Sequence, residues 1–280
     1  MNKMLNRFHM WFPGGIVLGS LISKFMTDLN MGWEAQIWVM MIPTLVYAFL
    51  FFGKAFPQPK IEGSTSLVEN LKAMFSPVFI FLFIAMALTA ISEFGPQQWV
   101  GLIMGSSGAS PMLILALTTG VMAVARFFAG PVVQTLGQTG VLLAGSILAT
   151  LGIYLFSTVT GPMAYAAAVI FALGVGYFWP VMVGAVAERV PLSGALGMSI
   201  LGGVGMFSTA IFQPIIGGWI DGSNAAMSAA GLTGADLELA AGQETLQKIM
   251  IFPIILIVLF TIFFFWQKNT KSTEAIPTAH

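Results

Sequence analysis

The sequence predicts an all-α integral membrane protein with about eight transmembrane helices, an expectation that rests on composition, on the length of its apolar runs and on their period. Of its 280 residues 57% are hydrophobic and 8% are charged, with 24 phenylalanines. A soluble domain carries about 25% charged residues to hold its surface in water, so this composition belongs to a chain solvated by lipid. The apolar runs have the length a helix needs to cross a hydrocarbon core about 30 Å thick, roughly 20 residues. The alternating segments of roughly ten residues that mark a membrane β-barrel are not seen.

Eight windows meet the length requirement: 10–28, 34–54, 76–104, 109–128, 139–159, 163–187, 193–219 and 248–267. The first starts just after Arg7, runs past signal-peptide length and lacks a small-residue cleavage pattern, so it reads as a span. The third opens on Ser76-Pro77, a capping serine followed by a proline whose missing N–H costs nothing at the first helical position. It also carries Glu93 and, just beyond, Pro96. The fourth ends at Arg126. The fifth and sixth share the uncharged stretch 127–187, too long for one crossing, and Gly161-Pro162 is the expected division. In the seventh, Gly202, Gly205, Thr209 and Gln213 fall close to one stripe, and Gln213 precedes a bend at Pro214. The run of Gly, Ala and Ser after Trp219 reads as a flexible connection to the eighth.

Orientation follows the excess of Lys and Arg in short cytoplasmic loops. With the N-terminus inside, Lys3, Arg7, Lys54, Lys60, Lys72, Arg126, Arg189, Lys268 and Lys271 are cytoplasmic, and only Lys24 and Lys248 are external. Both termini of this multi-pass protein of the inner (plasma) membrane are therefore expected in the cytoplasm. The acids Asp221, Asp236, Glu238 and Glu244 fall in the external connection. The expected organisation is two helices over 1–54, a cytoplasmic linker over 55–75 marked by Pro57, Pro59 and Gly63, six helices over 76–270 and a tail over 271–280.

Composition also excludes classes of function. A net charge of zero from 11 basic and 11 acidic residues offers no footprint for nucleic acid. The absence of cysteine removes disulfides and thiolate metal or redox sites. An intramembrane enzyme finds no support, because the two histidines are His9 and His280, no His-Glu-x-x-His or Gly-x-Ser-x-Gly motif occurs, and only one carboxylate lies well inside a span. No cofactor or metal is expected.

Between the fourth and fifth spans the chain reads Arg126-Phe-Phe-Ala-Gly130-Pro-Val-Val-Gln134-Thr135-Leu-Gly137-Gln138-Thr139. This resembles the loop signature Gly-x-x-x-Asp-basic-x-Gly-basic-basic of the major facilitator superfamily of transporters. The glycines and spacing match, while Gln134, Thr135, Gln138 and Thr139 replace the acid and bases that help latch the closed state in that family. What remains is a backbone role, with Gly130 and Gly137 permitting a tight turn and Arg126 anchoring it. The opening Leu5-Asn6-Arg7-Phe8-His9-Met10-Trp11-Phe12-Pro13-Gly14-Gly15 is similar to the start of the fifth helix in sugar transporters of the superfamily, including the fucose permease-like branch.

The resemblance implies a twelve-helix fold of two halves, of which this chain holds the last two helices of the first half and all of the second. It implies transport of a sugar-like solute by alternating access, coupled to a proton or a sodium ion. A truncated form is expected, with the first four helices absent or supplied by another chain. The alternative is a non-transporting fragment or a partner-dependent membrane subunit.

Binding residues in such a protein are polar or aromatic groups on helix faces turned from lipid. Thr89, Ser92, Glu93 and Gln97 follow at i, i+3, i+4 and i+8 and so share a face, with Gln98 beside them. Counted from Pro77, Glu93 lies about 24 Å along its helix, which places it in the outer part of the core. Either it binds a solute hydroxyl or carries a proton, or it caps the broken helix or pairs with a nearby external cation such as Lys248. Gln213 beside its bend, and Tyr177 and Trp179 in a glycine-rich aromatic segment, complete the expected set of solute-binding residues.

Overall fold

A computed structural model describes residues 2–55 and 66–274, and every regular element among the described residues is helical. Residues 56–65 of the expected linker lie outside them, and its later part carries a short helix over Leu67–Met74. The first part of the chain forms α1 (Asn2–His9), α2 (Trp11–Asp28), α3 (Trp33–Val39) and α4 (Met41–Phe51), and α5 (Leu67–Met74) follows. The rest forms α6 (Pro77–Gly105), α7 (Pro111–Phe127), α8 (Ala129–Phe156), α9 (Met163–Val175), α10 (Phe178–Arg189), a 3₁₀ turn at Pro191–Ser193, α11 (Gly194–Ala229), α12 (Gly234–Ile249) and α13 (Ile251–Glu274).

Each of the eight expected spans coincides with one helix or a consecutive pair. Among the described residues six stretches are long and apolar enough to cross a membrane, namely Trp33–Phe51, Pro77–Gly105, Ala129–Phe156, Met163–Arg189, Pro191–Ala229 and Gly234–Gln267, while Pro111–Phe127 is apolar but shorter. The remaining one, α2, is diluted by Ser20, Ser23, Lys24, Thr27 and Asp28.

Local chemistry sets the boundaries. Ser66 and Glu69 close a reciprocal capping box on α5. Ser76 and Ser110 each accept the backbone N–H three residues on, and Pro77 and Pro111 occupy the first position of α6 and α7. Gly137 breaks α8 with φ 68°, which a glycine adopts without strain. The expected turn is thus a short helix from Ala129 that ends at Gly137, with Gly130 in its first turn rather than at a bend. Gly161-Pro162 divides α8 from α9, as its sequence indicates.

The flexible connection expected after Trp219 is helical instead. Helix α11 continues to Ala229 and α12 begins at Gly234, leaving a four-residue turn. Alanines 225, 226, 229 and 230 favour helix more strongly than the intervening glycines oppose it.

Helices α6 to α13 share one core. Helix α8 packs on α9 and α13, α6 on α11, and α7 on α9, around Leu82, Met86, Met104, Phe156, Phe171, Phe178 and Phe260. The α8–α9 contact is close because Gly152 carries no side chain: a Cβ there would lie 2.5 Å from the Phe171 backbone, the small-residue approach typical of membrane helices. Helix α2 lies on α7, and α1 touches α8 and α10. Helices α3 and α4 hold no buried residue.

Candidate functional site

Neighbouring helices α6 and α7 run antiparallel across a short turn, and residues four apart on each face the other. Arg126 meets Glu93, its Nη2 donating to Oε1 at 3.4 Å. One turn along both helices, the Gln97 amide nitrogen lies 3.4 Å from the Met122 sulfur. A further turn along, Gly101 and Thr118 line a common cleft. The polar series therefore forms rungs along one helix pair.

The ion pair is buried, with Glu93 and Arg126 at 1% and 2% exposure. Its arginine is held by a backbone defect. In an unbroken helix the Gly176 carbonyl would accept from the residue four positions on, which is Pro180 and has no N–H. The helix accordingly divides into α9 and α10, and the freed Gly176 carbonyl accepts Arg126 Nε at 2.6 Å. Nη1 donates to the His9 carbonyl at 3.2 Å, tying α1 to the same centre. Glu93 Oε2 has no partner among the described residues.

Two cavities flank the Gln97–Met122 rung. One, 360 Å³, is lined by Glu93, Arg126 and a set of rings that includes Trp11, Phe12, Phe94 and Trp179. Trp179 packs edge-on to Phe94 and is seated against Gly205, where a Cβ would come within 2.8 Å of the indole. The second, 730 Å³, carries the amides of Gln97 and Gln98 with Ser20, Ser23 and Thr118 on its walls.

Of the expected solute-binding residues, the structure brings Glu93, Gln97, Gln98 and Trp179 to this pair of cavities. Thr89 and Ser92 share the expected face, but their hydroxyls donate to Met86 and Leu88 carbonyls of their own helix, as Ser and Thr commonly do in helices. Gln213 bridges α11 to α6, donating to the Phe94 carbonyl at 2.8 Å and accepting from Trp99 Nε1 at 2.9 Å. Tyr177 lines a separate groove between α7 and α9.

Two placements differ from expectation. Arg126 turns inward to Glu93, Gly176 and His9 instead of anchoring the Gly130–Gly137 turn, and Lys248 pairs with Glu244 and Ser223, not with Glu93. Along its own helix Glu93 sits near the middle. The 29 residues of α6 extend about 43 Å at 1.5 Å each, so a point 24 Å along is close to half-way. One unused signal was present: Glu93 and Arg126 are the sole charged residues between Ala73 and Ala187 and have opposite signs, and intramembrane charges pair with one another.

Long apolar helices packed around a buried ion pair define a multi-pass membrane protein. The family model of the Major Facilitator Superfamily matches residues 2–191, more than half of the chain. The chain belongs to that superfamily, whose members move solutes across membranes. Comparison with curated proteins yields no match.

Proposed function

We propose that the chain moves a small polar solute, a sugar or sugar derivative, by alternating access, driven by a coupled proton or sodium ion. The observation that carries this reading is the rung of Gln97 and Met122 between two cavities, one with amides and hydroxyls set in largely apolar walls, the other with aromatic rings and an ion pair. Amides and hydroxyls match a sugar's hydroxyl groups, and Trp11 and Trp179 offer flat faces to its C–H surface. Glu93, Gln97, Gln98 and Trp179 contact the solute in this reading. Gln213 ties α11 to α6, the helix that presents Glu93, Gln97 and Gln98. Residues 76–270 act as one six-helix half.

Both termini face the cytoplasm of a plasma membrane in this reading, from the basic residues of the short loops. The chain lacks cysteine, so single cysteines report sidedness against an empty background. In right-side-out vesicles Thr233→Cys, at the exposed turn before α12, is expected to react with a membrane-impermeant maleimide. Leu192→Cys, in the exposed turn before α11, reacts only after permeabilisation; the reverse pattern overturns the orientation.

The transport reading is tested by uptake of labelled sugars into liposomes holding this chain alone under an imposed proton or sodium gradient. Accumulation above that of empty liposomes is expected. A second reading, a membrane subunit that depends on a partner, is favoured by α3 and α4, which bury nothing against the bundle. Uptake that appears only with another membrane protein present supports it.

A further inference from the structure

Arg126 has more capacity for a carboxylate than Glu93 uses. A guanidinium offers five donors in a planar fork suited to two parallel bonds with one carboxylate. Here Nε is spent on Gly176 and Nη1 on His9, and Nη2 reaches a single Glu93 oxygen at 3.4 Å. Well-made bonds of this kind are about 2.7–2.9 Å. The other oxygen, Oε2, is buried without a partner among the described residues. A buried ion pair repays its desolvation only with good geometry and satisfied lone pairs, and this one has neither, so stability does not account for it. Both groups lie on the wall of the 360 Å³ cavity, a volume within the roughly 300–1,000 Å³ of small-molecule sites.

We infer that this cavity takes a monocarboxylate solute, a sugar acid, together with one proton, the solute's carboxylate replacing Glu93 on Arg126. This rests on the transport reading above and narrows its substrate class. Charge balance supplies the mechanism. Arginine and glutamate leave the empty cavity neutral. A second carboxylate would bring an uncompensated negative charge into a low-dielectric space, which is costly. A proton bound to Glu93 restores neutrality, frees Arg126 for the solute, and gives Glu93 an O–H to donate toward the solute's carboxylate or ring oxygens. The O–H bond formed as the solute enters breaks on the far side, where proton and anion leave together and the Glu93–Arg126 pair re-forms. The indoles of Trp11 and Trp179 cover the apolar face of the ring.

The titratable groups at this cavity are Glu93, Arg126 and His9. On the other elements packed against α6, Lys248 is paired with Glu244, Glu188 accepts from Gln138, Arg189 donates to Gln267 and Thr139, and Tyr177 lines the separate groove. On α5, Glu69 caps its own helix.

The test compares hexuronates with their parent hexoses, each bound to the purified chain and followed by intrinsic tryptophan fluorescence, then taken up into liposomes. Hexuronates are expected to bind about tenfold more tightly or better, from the charged hydrogen bonds gained. Their uptake, driven by an acid exterior, is indifferent to membrane potential, because one anion travels with one proton. Arg126→Lys keeps a cation and part of the binding, and Arg126→Gln loses it. Glu93→Gln still binds hexuronate but no longer responds to the proton gradient. Neutral hexoses that bind as well or better, with uptake that an interior-negative potential accelerates, overturn the sugar-acid assignment and leave the transport reading standing. If neither class binds or moves, both fail.

Discussion

Arg126→Gln alone is expected to lower the stability of the folded bundle by about 3–5 kcal/mol, and adding Glu93→Gln to return most of that loss. The single change leaves a carboxylate at 1% exposure with neither its cation nor, at Oε2, any other partner among the described residues. It also strands the Gly176 carbonyl, which Pro180 already denies a helical donor. The double change removes both charges and leaves two amides of similar size. Unfolding in mixed micelles measures the cycle. Strong coupling between the two substitutions is the expected outcome, and two small additive effects would show that the charges do not sense each other. An apolar pair, Glu93→Leu with Arg126→Met, removes both charges but leaves the Gly176 carbonyl unpaired, so it is expected to fold and to be less stable than the native pair by about 1–3 kcal/mol. It should transport nothing, which separates folding from function.

The second large effect is expected at Met122. Its side chain is buried and lies against Gln97 between the two cavities. Met122→Ala removes that contact and joins them, at a stability cost of about 2–5 kcal/mol for a core truncation. The variant is expected to pass solute down a gradient yet fail to accumulate it, because a path open through the rung cannot alternate. Met122→Leu, which keeps the volume, should behave as the native chain. Counterflow and accumulation assays on the same liposomes give the comparison. Met122→Ala that accumulates normally would mean the rung does not gate the path.

The spans were legible because an uncharged apolar run of about 20 residues is too long for an ordinary core element and fits the thickness of a bilayer, and Gly161-Pro162 punctuated the longest of them correctly. The extracytoplasmic-looking stretch after Trp219 misled because its glycines and acids resemble a loop, whereas its alanines carry α11 to residue 229 and start α12 soon after.

The site was half legible. Periodicity placed Glu93 and Gln97 on one face, and both reach the cavities. The same periodicity included Thr89, whose hydroxyl its own helix consumes, and helical spacing carries no information on that choice. Arg126 is 33 positions from Glu93 on another helix, and spacing within one element says nothing about pairing across two. The resemblance of 126–139 to a loop signature drew the arginine toward the turn, while the proline four residues after Gly176 was the local mark of the carbonyl that holds it.

The central claim is that the solute path runs past Glu93 and Arg126. Gradient-driven accumulation of labelled sugar acid by liposomes holding the native chain, beside liposomes holding equal amounts of folded Glu93→Gln, tests it most directly. The native chain is expected to accumulate the sugar acid and the variant only to equilibrate it downhill. Equal accumulation by both would contradict it.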